Sequence, residues 1–416
     1  MNKTELKEII LDQNKQKLEE NLIEREVFVK INSYIKNPFI IIVSGIRRSG
    51  KSTLLNQIKA KYPGYYLNFD DERLINFKIE DFQLLYETFI ELYGEKDIFY
   101  FDEIQNVLSW ERFVRRLHDE KKKIFVSGSN ASMLSRELGT HLTGRHLEIH
   151  LFPFSFKEFL NFNNFKIDKN STYVTASKAK IKKYFDDYLL NGGFPEYLKE
   201  QNKEYLKILY ENIIYRDIIV RYRLSNERAL KELVYIAINN ISKEISFNSI
   251  KKLLKLGSST TVKEYFDYLE NSFLIFLVPK FDYSIKKQIY SNKKVYSIDN
   301  GISMYLGFRI SKDSGKFLEN LVFIELKRRG KEIYYYKDKK ECDFVLREGI
   351  KIRDAIQVCF EFNEENKERE ITGLLEAMNK FKLKEGLILT YDQDDEFKLG
   401  NKKIKVIPVW RWLLEN

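Results

Sequence analysis

The octet GIRRSGKS, Gly45–Ser52, fits the spacing G-x-x-x-x-G-K-[ST] in full. Its glycines let the backbone wrap an anion so that N–H groups at the start of the following helix point inward at phosphate. Lys51 is placed to reach the β- and γ-phosphates and the Ser52 hydroxyl to coordinate Mg²⁺. Arg47, Arg48, Ser49, Gly50 and Thr53 complete the expected nucleotide contacts of the loop. A second chemical signal is IFYFDE, Ile98–Glu103, an apolar run that delivers two carboxylates at its end. Asp102 is expected to hold the Mg²⁺ shell and Glu103 to orient and polarise an attacking water. A Glu beside the Asp favours a hydrolase over a GTPase-like switch. Ser129 and Asn130, ending IFVSGSN, could touch the γ-phosphate or the water, although Asn130 suits a helix cap as well. Arg145 in TGRH could stabilise transferred charge in a neighbouring subunit, or simply be a solvated arginine.

These residues need a scaffold, and the first ~150 residues supply one. Strand-like runs at 39–44, 65–70, 98–102, 124–128 and 147–151 alternate with helical patterns at 54–61, 81–93 and 110–120. That alternation argues for a parallel sheet covered by helices on both faces. The pattern turns mostly helical over 155–223. Three short helical patterns and the start of a strand pair follow over 228–283. After Tyr296 it becomes α/β again, with a helix over 317–329, strands at 332–337, 342–347 and 354–360, a helix over 366–381 and a strand at 385–390.

With 416 residues, 44% hydrophobic and 14% aromatic, the chain can bury ordinary cores and is not globally disordered. No apolar run approaches the ~20 residues of a membrane span. The polar start MNKTELKEII lacks the apolar stretch of a secretion signal, so a cytoplasmic location and no membrane contact are expected. Two cysteines, Cys342 and Cys359, make no disulfide framework or zinc site. Net charge is +10, which favours an anionic partner such as nucleic acid, though a lysine- and isoleucine-rich composition gives the same total. Half of the excess sits in Ile241–Tyr296, with ten Lys against five acidic residues.

Within that basic stretch, SFNSIKKLLKLGSSTTVKEYFDYLE reads as a helix, a tight turn at Gly257 and a second helix. With the strand pair behind it, this suits a winged helix whose Lys251, Lys252, Lys255 and Lys263 meet the phosphates of double-stranded DNA. Glu264, Asp267 and Glu270 on the second helix argue equally for a protein partner, and base-reading residue types are few.

Taken together, the chain resembles a group of prokaryotic AAA-type ATPases that carry a winged helix and a restriction-endonuclease-like domain. The resemblance rests on GIRRSGKSTLL, IFYFDEIQN, VSGSNASML, LTGRHLEIHLFPFSFKEFL, NGGFPEYL, ENLVFIEL and ECDFV, spread over most of the sequence. It implies a five-stranded parallel sheet in the order 5-1-4-3-2 over 1–153 and a helical lid over 154–225. A winged helix over 226–296 and the α/β nuclease-like domain over 297–416 would follow. It also implies ATP rather than GTP, with Gly192, Gly193 and Pro195 beside the nucleotide and Arg216 as a lid arginine. Glu325, Asp343 and Gln357 resemble the metal-binding order of such nucleases, yet Cys359 stands where their lysine would be. A cysteine offers no cation and is a poor Mg²⁺ partner, so a nuclease-like fold with weak or absent cleavage is expected. The expected function is an ATP-hydrolysing machine coupled to DNA or a protein partner, with homo-oligomerisation open. A nucleotide-dependent scaffold and an ATP-regulated nuclease are the alternatives.

Overall fold

Five apolar runs assemble into the first sheet: β1 (Ile40–Ser44), β2 (Tyr65–Asn68), β3 (Ile98–Asp102), β4 (Lys123–Gly128) and β5 (His146–His150). The strands are all parallel in the order β2-β3-β4-β1-β5, which is the expected 5-1-4-3-2 order read from the other edge. The computed structural model describes residues 1–15, 22–129, 144–168, 170–307 and 314–415. Successive strand side chains point to opposite faces, and the two faces therefore build separate cores. Ile40, Ile42, Leu67, Phe99, Phe101, Ile124 and Val126 pack on one side. Leu6, Ile9 and Ile10 of the helix Lys3–Lys15 cover them there. Ile41, Val43, Tyr66, Tyr100 and Phe125 pack on the other, beneath Leu54, Leu55 and Ile58 of the helix Lys51–Lys61.

The described chain divides into two compact units, Met1–Phe152 with Asn271–Phe273, and Pro153–Glu270 with Leu274–Asn416. In the second unit, helices Phe156–Phe162, Thr175–Asn191, Pro195–Glu200 and Lys203–Asn212 lead into a π-helical stretch, Ile213–Val220. Next come the helix Glu227–Asn239, β6 (Glu244–Ile245), the helices Phe247–Leu253 and Ser259–Asn271, β7 (Ile275–Pro279), the helix Ile285–Tyr290 and β8 (Lys293–Ser297). These strands form a small antiparallel sheet, β6-β8-β7.

The remaining strands are β9 (Glu332–Lys337), β10 (Glu341–Glu348), β11 (Lys351–Val358), β12 (Glu385–Thr390), β13 (Asp395–Leu399) and β14 (Lys402–Pro408). Their order is β13-β14-β12-β11-β10-β9. The β9-β10-β11 meander is antiparallel, and β12 runs parallel to β11 and to β14. The long helices Ser314–Arg328 and Lys367–Phe381 belong to this last module.

Gly192 and Gly193 have a packing role inside the second unit. Asp299 is buried and its carboxylate accepts from the N–H groups of Gly193 (2.7 Å), Gly301 (2.8 Å) and Ile302 (3.3 Å). Burial pushes Asp299 up to about 6 despite these three donors. A Cβ on Gly192, whose φ is 70°, would stand 2.0 Å from Asp299 Oδ1. Gly192→Ala is therefore expected to lower unfolding free energy by at least ~2 kcal/mol, combining left-handed strain with a displaced buried carboxylate. Urea denaturation of the purified variant checks this, and an unchanged midpoint would remove the packing account.

Candidate functional site

The phosphate loop leaves β1 at the C-terminal edge of the parallel sheet. Gly50 (φ 94°) takes a left-handed conformation that a side chain would strain, and it caps the helix Lys51–Lys61. Ser52 and Thr53 are exposed on the first helical turn, where N–H groups are free of helical partners by geometry. Lys51 is buried. Its ammonium donates to the carbonyls of Gly45 (3.0 Å) and Ile46 (3.2 Å).

β3 ends at the same edge, two strands away. Asp102 is fully buried and both of its carboxylate oxygens are fixed. Oδ1 accepts from the Ser127 hydroxyl and Oδ2 from the Tyr66 hydroxyl at 3.0 Å. Burial, with Asp102 alongside, raises the Tyr66 phenol well above its ordinary range and keeps it a proton donor. Glu103 adopts the left-handed conformation (φ 50°, ψ 39°), an unusual state for a side-chain-bearing residue that concentrates at functional sites. Its N–H donates to Ser127 Oγ at 3.2 Å, Gln105 donates to Oε2, and Oε1 lies 3.8 Å from Lys51 Nζ. The structure thus brings Lys51, Ser127, Asp102 and Glu103 to one edge.

Arg25 also belongs here. It is buried, with Nη1 donating to Ser49 O at 2.8 Å and Nη2 to Phe152 O at 2.6 Å, so it braces the loop from the N-terminal segment. Ser127 and Tyr66 follow from strand adjacency in the expected sheet order. A lone arginine before the first strand carries no such signal.

The site fits a Mg²⁺–nucleotide. Ser49 Oγ and Ser129 Oγ are buried and without a hydrogen-bond partner among the described residues. Asn130 lies outside the described residues. Arg145 directly precedes β5, at the opposite edge. Ile40 N donates to its carbonyl, and its guanidinium pairs with Asp119 at 2.7 Å. One strand length, about 13 Å, separates it from its own loop, so it cannot serve that loop directly. Pro195 starts the helix Pro195–Glu200 and Arg216 lies in the π-helical stretch, both in the second unit.

The expected second metal site needs correction. Glu325 is engaged by Arg328 (2.5 Å) and Arg329 (2.8 Å). Asp343 and Gln357 do meet, the Asp343 N–H donating to Gln357 Oε1 at 3.3 Å. The helix acid beside Asp343 is instead Glu319, six residues before Glu325. The cation between them is Lys294 from β8. Its ammonium is buried and lies 2.9 Å from Glu319 Oε1, 2.8 Å from Glu341 Oε1 and 2.9 Å from Asp343 Oδ1. Tyr296 donates to Glu319 at 2.6 Å, and Val358 N to Asp343 Oδ2 at 2.9 Å. Burial opposes the charge on Lys294, but Asp343 and Glu319 outweigh it and hold the ammonium well above its ordinary range. Burial, reinforced by Asp343, pushes Glu319 up to about 8. Among the described residues no group of three or more His, Cys, Asp or Glu is placed to hold a metal ion.

Comparison with known proteins finds three family models along the chain. Residues 37–160 match the model of an AAA domain, so the first unit carries an AAA-type P-loop domain. Residues 182–314 and 314–412 match two domains of unknown function, DUF8612 and DUF4143. "Uncharacterized protein MJ1544" of Methanocaldococcus jannaschii is 38% identical over 98% of this chain and 94% of its own length. The chain belongs to the MJ1544 family. A Haemophilus influenzae relative is 32% identical over 95% of this chain and 99% of its own, so the likeness runs through nearly the full length of both. Among solved structures, AMPPCP-bound DnaA from Aquifex aeolicus is 17% identical, with a TM-score of 0.25 over 59% of this chain and 87% of that one. A superposition that loose says nothing of what an MJ1544-family protein binds. No helix among the described residues is long and apolar enough to cross a membrane.

Proposed function

We propose that this chain hydrolyses ATP at Gly45–Thr53 and uses its nucleotide state to control a partner held by the second unit. The observation that carries the reading is the meeting of the loop lysine with the β3 carboxylates: Lys51 Nζ lies 3.8 Å from Glu103 Oε1 at the edge where Asp102 is buried. Lys51 exchanges the Gly45 and Ile46 carbonyls for phosphate oxygens. Glu103 orients a water in line and accepts its proton, and Gln105 steadies the carboxylate. Asp102 and Ser52 would hold Mg²⁺, which when bound neutralises phosphate charge. Ser49 and Ser129 offer hydroxyls to the phosphates. Arg145, remote from its own loop, would act on a second copy. The Gly192–Pro195 turn and Arg216 would form the nucleotide-facing lid.

The order of helices and the β6-β8-β7 sheet over 227–297 support a winged-helix reading and, with the local excess of lysine, duplex DNA as the partner. The last module follows the helix–meander–helix–strand order of a nuclease-like domain. The Lys294 ammonium among its acids supports a version that does not cleave. Steady-state ATPase assays of wild type and Lys51→Ala test the core proposal. Wild type is expected to turn over ATP in the presence of Mg²⁺, and Lys51→Ala to lose at least ~100-fold, given the lysine's charge on the transferring phosphate. Equal turnover in the two would overturn it.

A further inference from the structure

Residues 280–292 join β7 to β8 and carry the helix Ile285–Tyr290, none of whose residues is buried. Tyr283, Ile285, Ile289 and Tyr290 are 72, 72, 59 and 80% exposed. Four large apolar side chains on one exposed segment mark an interaction site. Lys280, Lys286 and Lys287 share the segment with a single acid, Asp282, which lies 4.0 Å from Lys287 Nζ, and Lys293, whose ammonium donates to Gln288 O, follows as the first residue of β8. The loop is also held in place. Phe281 is buried against Tyr334 and Phe381 at its base, and its N–H donates to Tyr335 O at 2.8 Å. Ser284 caps the short helix, and Gln288 donates back to Asp282 O at 2.5 Å. A surface presented this rigidly loses little entropy on binding.

The helix Ser259–Asn271, the usual groove-reading element of such a module, offers something different. Its outward residues Thr260, Lys263, Glu264 and Asp267 sum to one negative charge, which phosphate repels. From this contrast we infer that duplex DNA is engaged by the 280–292 loop, not by the second helix. Lysines flanking a narrow apolar ridge match a minor groove, where phosphate walls border sugars and base edges and where Ile side chains can wedge a base step. The inference rests on the DNA-coupled reading above.

The test is fluorescence anisotropy of full-length protein on a 30-base-pair duplex over a salt series. Wild type is compared with Lys286→Glu/Lys287→Glu, with Ile285→Ser/Ile289→Ser and with Lys251→Glu/Lys252→Glu. All six positions are exposed or half-buried, and basal ATPase activity reports that the fold survives. The Lys286/Lys287 reversal is expected to weaken binding at least tenfold and to reduce the salt slope by about 2, one phosphate contact being worth about 0.9. The Ile285/Ile289 pair is expected to weaken binding severalfold at unchanged slope, and the Lys251/Lys252 pair less than twofold. If either loop variant binds as tightly as wild type, the loop assignment fails while DNA coupling stands. If wild type shows no salt-dependent duplex binding, both fail and an acidic protein surface becomes the fitting partner.

Discussion

Glu103→Gln is expected to bind ATP as tightly as wild type and to turn it over about 10²–10⁴-fold more slowly, the usual contribution of a positioned general base. The amide keeps the size and one acceptor of the carboxylate but cannot take the proton of the attacking water. Among the described residues Glu103 is the acid whose position suits that role: Asp102, one residue earlier, has both oxygens hydrogen-bonded by Ser127 and Tyr66 in full burial. A base must be held as well as present. The left-handed backbone at Glu103, the Ser127 bond to its N–H and the Gln105 bond to its carboxylate together fix the group. Gln105→Ala is accordingly expected to slow turnover less than Glu103→Gln does. Nucleotide affinity from a fluorescent ATP analogue, set against steady-state phosphate release, separates the two effects. Hydrolysis by Glu103→Gln at the wild-type rate would remove Glu103 from the chemistry.

The strand–loop–helix around Gly45–Ser52 was legible in the sequence because its signal is local. A strand, a glycine loop and a helix start are contiguous, and each leaves its own composition signal. The sheet order followed from the resemblance, and the alternation of Ile40/Ile42 with Ile41/Val43 between two cores is the physical form of that expectation. What failed to show depended on distant packing. Arg25 reaches Ser49 O across 24 positions and Lys294 reaches Asp343 across 49. Neither has a neighbour pattern to announce it.

The choice of Glu325 over Glu319 has the same origin. Residues six apart on a helix are rotated by about 240°, so only one of them can face the sheet, and the facing side is set by the β8 and β10 partners. The loop helix Ile285–Tyr290 escaped for the opposite reason. None of its residues is buried, and an unburied helix has no apolar periodicity to read.

Lys294→Met is expected to cost about 3–5 kcal/mol of stability, the range for removing one partner of a buried ion pair. The methionine matches the length of the lysine stem, so the loss isolates the charge. Without the ammonium, Glu319 and Asp343 stand buried with no cation between them, and buried charge without a partner is costly. Burial, reinforced by Asp343, already holds Glu319 at about 8 in the wild type, and losing the lysine beside it raises it further. The extra loss that titration adds therefore appears as pH climbs past about 8, where the wild-type group has shed its proton and the variant's has not. The deficit relative to wild type should be larger at pH 9 than at pH 7. Urea unfolding followed by tryptophan emission, at both pH values, measures it.

The double variant Lys294→Met/Asp343→Asn completes the cycle. With one carboxylate gone the remaining Glu319 can stay protonated at lower cost, its acidity being already suppressed to about 8 in the wild type. The double variant should thus be more stable than Lys294→Met alone, a non-additivity that only directly coupled residues show. Single and double variants that lose stability additively would mean that the three carboxylates and the ammonium do not act as one charge cluster.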